Sequence, residues 1–336
     1  MSRLPLGYLL RRLGIWLLTV WVAATVIWII PRFAPGDPIE AMVGDMASAG
    51  TNVEGADAII EGFRERFGLD QPVHVQYIRY IGSLLRFDLG LSITNFPTPV
   101  NEIIMRALPW TVGLLLLAMV ITFFLGNFLG AIMVWAKTPR LFKYLIPFGM
   151  LFTSIPTILS ALFLLYIFAF TFDLFPSQNA YALGTRPGFN LEFIWSVIVH
   201  GTLPALSIIL VSFGYWALGM RGMMITVQGE DYVQLARAKG LKPMYILYRY
   251  MVRNAILPQI TAFAITLGTL VSGQVLVERV FNYQGMGFLI YTAILQRDFP
   301  VIQGASFIII VMTATAVLLV DLIYPFIDPR VSQKRA

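Results

Sequence analysis

Six stretches of this chain carry no Asp, Glu, Lys or Arg, and each is close to or beyond the roughly 20 helical residues that cross the apolar core of a bilayer. They cover residues 13–30, 107–136, 144–172, 193–220, 254–277 and 299–320. In lipid every backbone N–H and C=O must be satisfied inside the segment, so runs of this length fold as α-helices. The fold class expected is an all-α polytopic membrane protein with six transmembrane helices. Composition agrees: 58% of the 336 residues are hydrophobic and 12% are charged, a charged fraction about half that of ordinary soluble domains. There is no cysteine, so disulfides and thiolate metal sites are excluded. The net charge of +6 comes from bases at the ends of apolar runs, a pattern of membrane topology and not of nucleic-acid binding.

The bases set the orientation. Arg3, Arg11 and Arg12 precede the first span, which puts the amino terminus in the cytosol under the positive-inside rule. Lys137, Arg140 and Lys143 mark a second cytosolic loop. Residues 221–253 carry Arg221, Arg237, Lys239, Lys242, Arg249 and Arg253 against Glu230 and Asp231, and belong on the same side. Residues 32–102 hold five bases against ten acids and belong outside. With six spans the tail DPRVSQKRA returns to the cytosol. The first span has the basic front of a secretory signal, but its apolar run is long and no A-x-A site follows it, so it is expected to stay in the mature protein.

Three regions result: residues 1–31 with the tail and first span, an extracytoplasmic segment over 32–105, and a core over 106–336 with five spans. The outer segment opens on APGDP, a turn built by Pro35, Gly36 and Pro38. Helical spacing of apolar residues then predicts helices over 56–67 and from Pro72 through QPVHVQYIRYIGSLL. Pro156 and Pro204 lie inside the third and fourth spans, where each breaks or kinks a helix. Gly126 and Gly130 form a G-x-x-x-G pair suited to close helix contact.

The most informative stretch is EDYVQLARAKGLKPMYILYRYMVRNAILPQI, residues 230–260. Glu230 and Asp231 sit where a helix start favours negative charge, and Arg237 and Lys239 where its end favours positive charge. Gly240 supplies a left-handed stop, and Pro243 fits the first position of a second helix. The unit is a short helix, a sharp turn, and a helix feeding into the membrane. The small residues Ala236 and Ala238 suit docking in another protein's groove. A helix lying on the lipid surface, with Arg237 and Lys239 on anionic headgroups, accounts for the same pattern.

This stretch resembles the cytosolic coupling segment of binding-protein-dependent ABC transporter permeases, in the dipeptide/oligopeptide branch. The likeness extends to YLLRRLGIWLL…PRFAPGDP, FGLDQPVHVQYIRYIGSLLRFDLGLSI, VERVFNYQGMGFLIYTAILQRDFPVIQG and DLIYPFIDPRV, in order along the chain. Gln234 stands where the wider class has a glutamate, the spacing from Gly240 to Leu257 and Pro258 is longer than in that class, and Lys242 replaces a common hydroxyl cap. The resemblance implies an ABC importer type I permease fold with both termini cytosolic. It implies that Asp231, Leu235, Ala236, Arg237, Ala238, Lys239, Gly240 and Leu241 couple the chain to an ATPase. It also makes Asp37 and Asp88 candidates to face an extracytoplasmic solute-binding protein, while a turn or helix-cap role accounts for both equally well.

No G-x-x-x-x-G-K-[ST] loop occurs in the chain, so it cannot hold a nucleotide in the P-loop manner. The resemblance therefore implies a non-enzymatic transport subunit that binds no cofactor. ATP and Mg would be held by two partner ATPase subunits, and a second homologous permease would complete the pathway through alternating access. The implied cargo is a peptide or a related small solute: an oligosaccharide, a nickel chelate or glutathione. Pro156, Pro204 and His200 are the pathway candidates, while Asp321 reads as a group near the inner surface. A stand-alone secondary transporter or channel would place ionisable groups in mid-membrane and often show an internal repeat. An intramembrane enzyme would need a base near Thr153, Ser154 or Ser160. Neither pattern is present in the sequence. His74 and Asp298 show no metal-ligand spacing.

Overall fold

The computed structural model describes residues 6–33, 61–62, 71–135, 149, 151–269 and 274–327. Among them the regular structure is helical, with one isolated bridge between Leu91 and Pro99. The helices are α1 (Leu6–Ile29), α2 (Val73–Leu85), α3 (Val100–Val134), α4 (Thr157–Leu164), α5 (Leu191–Gln228), α6 (Asp231–Ala238), α7 (Pro243–Tyr245), α8 (Arg253–Thr269), α9 (Val275–Val280), α10 (Met286–Leu295) and α11 (Phe299–Ile327). A π-helix, Leu165–Thr171, prolongs α4, and another, Ile246–Val252, joins α7 to α8. Within the described residues four helices are long and apolar enough to cross a membrane: α1, α3, α5 and the Phe299–Leu322 part of α11.

Several boundaries differ from the sequence expectation, each for a local reason. The third apolar run is interrupted: Pro156 is extended at ψ 137°, and α4 starts anew at Thr157. Pro204 breaks nothing. It lies within the continuous 38 residues of α5, where Ser207 Oγ donates to the Pro204 carbonyl at 2.7 Å. The helix also passes Met220 and carries Arg221 to Gln228 into the stretch expected to be loop. The fifth run does not continue as one helix to Val277, since Gln274 is non-helical (φ −114°, ψ 72°) and caps the separate α9. The helix expected over 56–67 is described only at Glu61 and Gly62, which are helical. The turn at Pro35, the loop at Lys137 to Lys143 and the tail from Asp328 lie outside the described residues.

The helices pack as two units, divided at Pro109/Trp110, Gln284/Gly285 and Leu318/Leu319. In the first, α1, α2, the start of α3, α10 and most of α11 share two apolar clusters. Ala24 and Ile27 of α1 meet Leu84 and Phe307 in one; Val100, Ile104 and Ala107 meet Met286, Ala293, Val301 and Ala305 in the other. Gly304 is required there, because an added Cβ would lie 2.7 Å from Val100 Cγ1. The outer faces of α1 are apolar and exposed, as at Leu6, Leu10 and Leu18, a surface suited to lipid.

In the second unit the G-x-x-x-G pair does what its spacing suggests. A Cβ on Gly126 would sit 2.5 Å from Trp216 Cβ, and one on Gly130 would overlap the Ala217 carbonyl and lie 2.8 Å from Met220 Cβ. The backbones of α3 and α5 therefore approach to a distance that side chains forbid. Lipid tails are as apolar as leucine, so such van der Waals contact and not apolar burial is what holds two membrane helices together.

Candidate functional site

The stretch over residues 230–260 folds as a short helix locked to the end of α5. Glu230, extended at ψ 143°, precedes α6 without a side-chain cap. At the other end Gly240 takes φ +69°, its N–H donates to the Arg237 carbonyl at 2.9 Å, and Leu241 N–H donates to the Ala236 carbonyl at 3.3 Å. These two bonds form a Schellman stop, which only a residue free of Cβ enters without strain. Pro243 then opens α7 at its first position.

Burial sorts the residues of α6 into two faces. Val233 and Ala236 turn inward to a cluster with Met220 and Met224 of α5 and with Ile246, Leu247, Met251 and Ala255 of the following helices. Asp231, Tyr232, Gln234, Leu235, Arg237, Ala238, Lys239 and Gly240 are exposed, and Leu241 is half-buried. Ala236 thus corrects the sequence reading. At 3% exposure it is no docking surface; its small size serves the packing of α6 on its own chain. Leu235, 56% exposed, is the apolar residue that α6 offers outward. The Tyr232 phenol is raised by partial burial and then by the charge of Glu230, while a hydrogen bond with Asn254 opposes the shift.

Two of the three pathway candidates, His200 and Pro204, share α5, and the third precedes α4. Pro156 marks the helix break before α4, and Pro204 is buried in mid-α5. His200 lies one turn above Pro204, half-buried, with Nδ1 2.8 Å from the Ser196 carbonyl. A carbonyl only accepts, so Nδ1 carries the proton and the ring is tied to its own helix. Asp88 is exposed in the turn after α2, where its Oδ1 accepts from Gly90 N at 3.0 Å and its own N–H donates to the Ser83 carbonyl at 2.9 Å. Asp37 lies outside the described residues. Asp321 is half-buried near the end of α11. Among the described residues no three His, Asp or Glu gather where they could hold a metal ion.

Two buried carboxylates have roles that sequence reasoning missed: Asp298 was weighed only as a metal ligand, and Glu278 was not considered. In the first unit Asp298 is 1% exposed and accepts from Ser92 Oγ at 2.5 Å, Thr94 Oγ1 at 2.7 Å, the N–H groups of Ile93 and Thr94, and Val301 N at 3.3 Å. The bond from Val301, three residues on, makes Asp298 the N-cap of α11; the others pin the turn ahead of α3 to it. An Asp ahead of Phe299, Pro300 and a long apolar run was the available signal. In the second unit Glu278 is fully buried and accepts from Thr111 Oγ1 at 2.7 Å. The phenol of Tyr283 is pushed up by burial and by the charge of Glu278. Trp110, stacked on Tyr181 at 5.4 Å and edge-on to Tyr283 at 6.1 Å, closes the apolar side of that group.

Residues 126–333 match the family described as binding-protein-dependent transport system inner membrane component. The chain is 32% identical over 331 residues to the oligopeptide transport system permease protein AppB of Bacillus subtilis, covering 97% of this chain and 99% of that one. It is 33% identical to the probable D,D-dipeptide transport system permease protein DdpB of Escherichia coli, covering 95% and 96%. A solved structure titled as an amino acid ABC transporter with histidines aligns at TM-score 0.48 and 16% identity, over 66% of this chain and 92% of that one.

Proposed function

This chain belongs to the family of binding-protein-dependent transport system inner membrane components, and from that premise we propose that it forms half of a peptide translocation pathway in an ATP-driven importer. It is a multi-pass inner-membrane permease subunit. The other half would be a second permease of the same kind, two ATPase subunits would supply ATP and Mg chemistry, and a solute-binding protein would deliver cargo outside. Six spans with both termini in the cytosol fit the charge distribution. Peptide is the cargo class favoured by the names of the relatives, an oligopeptide and a D,D-dipeptide permease.

The observation that carries this reading is α6: a closed helix of eight residues that presents Leu235, Arg237, Ala238 and Lys239 outward while Val233 and Ala236 fix it to α5. A helix anchored on one side and open on the other is suited to being gripped. An ATPase that closes on nucleotide would move α6, and α5 with it, biasing the bundle between two packed arrangements. The test is uptake of a labelled oligopeptide by cells that lack the chain and by cells in which it is restored. Uptake that returns with the wild type and fails with Gly240→Val, although the variant reaches the membrane in equal amount, supports the reading. Accumulation of solute by the purified chain alone in ATP-free vesicles overturns it in favour of a stand-alone transporter.

A further inference from the structure

A groove of about 540 Å³ lies beside α6 on the helix that leads into the membrane, lined by Lys242, Met244, Tyr245, Tyr248, Arg249 and Arg253. Three of the six are cations, none is a carboxylate, and Lys242, Arg249 and Arg253 are all exposed. Tyr245 and Tyr248 are also exposed, at 52% and 58%. The π-helix Ile246–Val252 winds through this site, and π turns, with i to i+5 bonds, appear frequently at functional sites. Tyr245, Arg249 and Arg253, four residues apart, form a column along the side of this segment that lines the groove. Immediately beyond Arg253 the chain turns apolar as α8, so the column stands at the depth of lipid headgroups.

We propose that this groove holds the headgroup of an anionic phospholipid of the inner leaflet, its phosphate between Lys242, Arg249 and Arg253. The inference rests on the reading that residues 221–253 face the cytosol. Clusters of bases at the cytosolic side of membrane helices attract anionic lipid, and tyrosine rings settle at the headgroup level. Size favours a lipid over a free anion. A phosphate ion fills the room of a few waters, each about 30 Å³ in the liquid. The cavity is several times larger, and Met244, Tyr245 and Tyr248 give it apolar walls for the glycerol and upper acyl chain. Because the helix that lines the groove begins at Pro243, just after the Gly240 stop, a seated lipid would hold the base of α6 in place.

The full-length protein, purified in detergent, is titrated with phosphatidylglycerol and with phosphatidylcholine, and retained lipid is counted by native mass spectrometry. Expected is one phosphatidylglycerol held in preference to phosphatidylcholine. Affinity should fall about five-fold for each cation removed and about a hundred-fold in Lys242→Gln/Arg249→Gln/Arg253→Gln. Arg237→Gln/Lys239→Gln, outside the groove, should retain it, as should Arg249→Lys, which controls for folding together with the melting temperature. Equal retention of both lipids, or retention unchanged in the triple variant, overturns the proposal. Displacement by inorganic phosphate, with protection by phosphate of a label on Tyr248→Cys, reassigns the groove to a free anion. Loss of the lipid on adding the ATPase subunits reassigns it to protein docking. Lipid counting needs no ATP hydrolysis, so these outcomes stand apart from the transport test, and labelling Tyr248→Cys in cells from either side checks the orientation separately.

Discussion

At the scale of single residues, two glycines and one aspartate carry separable duties. Gly240 has φ +69° but open space around a would-be Cβ, so conformation and not crowding limits substitution. An L-residue there costs about 1–2 kcal/mol. Gly240→Asn, which tolerates the left-handed region, should keep most of the uptake that a β-branched residue loses. Equal loss in Asn and Val variants would show that the turn itself is not what matters. Gly130 is the opposite case. Its helical backbone accepts alanine, but the Cβ would strike the Ala217 carbonyl. Gly130→Ala should lower stability by about 1–3 kcal/mol, seen as a drop in melting temperature in detergent with membrane insertion intact. Asp298→Asn keeps the size of the side chain but replaces one acceptor oxygen of a hydroxyl- and amide-lined cradle with a donor. A loss of about 2–3 kcal/mol is expected, with the Ser92→Ala/Asp298→Asn pair less than additive in the same melting assay.

At the scale of elements, α6 shows what a sequence can and cannot disclose. Its start, its stop at Gly240 and the restart at Pro243 were readable, because charge at helix ends, positive φ and a missing N–H are local properties. Which way its alanines point was not. Ala236 and Ala238 look alike in sequence, and only the presence of Met220 and Met224 behind α6 turns Ala236 inward. Burial of Asp298 and Glu278 depends likewise on Ser92 and Thr111, 206 and 167 residues away, and no local pattern encodes such pairs. The break at Pro156 was legible, while the passage of α5 straight through Pro204 was not. The chain has no cysteine, so single-cysteine variants label against a clean background. Leu235→Cys and Ala238→Cys should react with a maleimide in the isolated chain and be shielded once the ATPase binds. Ala236→Cys should stay unreactive in both states; rapid labelling there would contradict the packing of α6 on α5.

For the whole molecule, the long apolar runs announced an all-helical membrane protein, since a bilayer imposes a length that water does not; among the described residues four helices have that length. In intact cells a membrane-impermeant maleimide should reach Asp88→Cys and fail to reach Gln234→Cys until the membrane is opened. The reverse pattern would invert the topology proposed for the importer.

The length of α5 has a mechanical consequence. Its 38 residues run without interruption from the Asn190 cap to Gln228, about 57 Å at 1.5 Å per residue, nearly twice the hydrocarbon thickness of a bilayer. With α6 fastened at one end, a displacement imposed there would be delivered to the far end as the swing of a rod. The only proline within that rod is Pro204, so Pro204→Ala tells whether it must bend as it swings or transmits the stroke unbent.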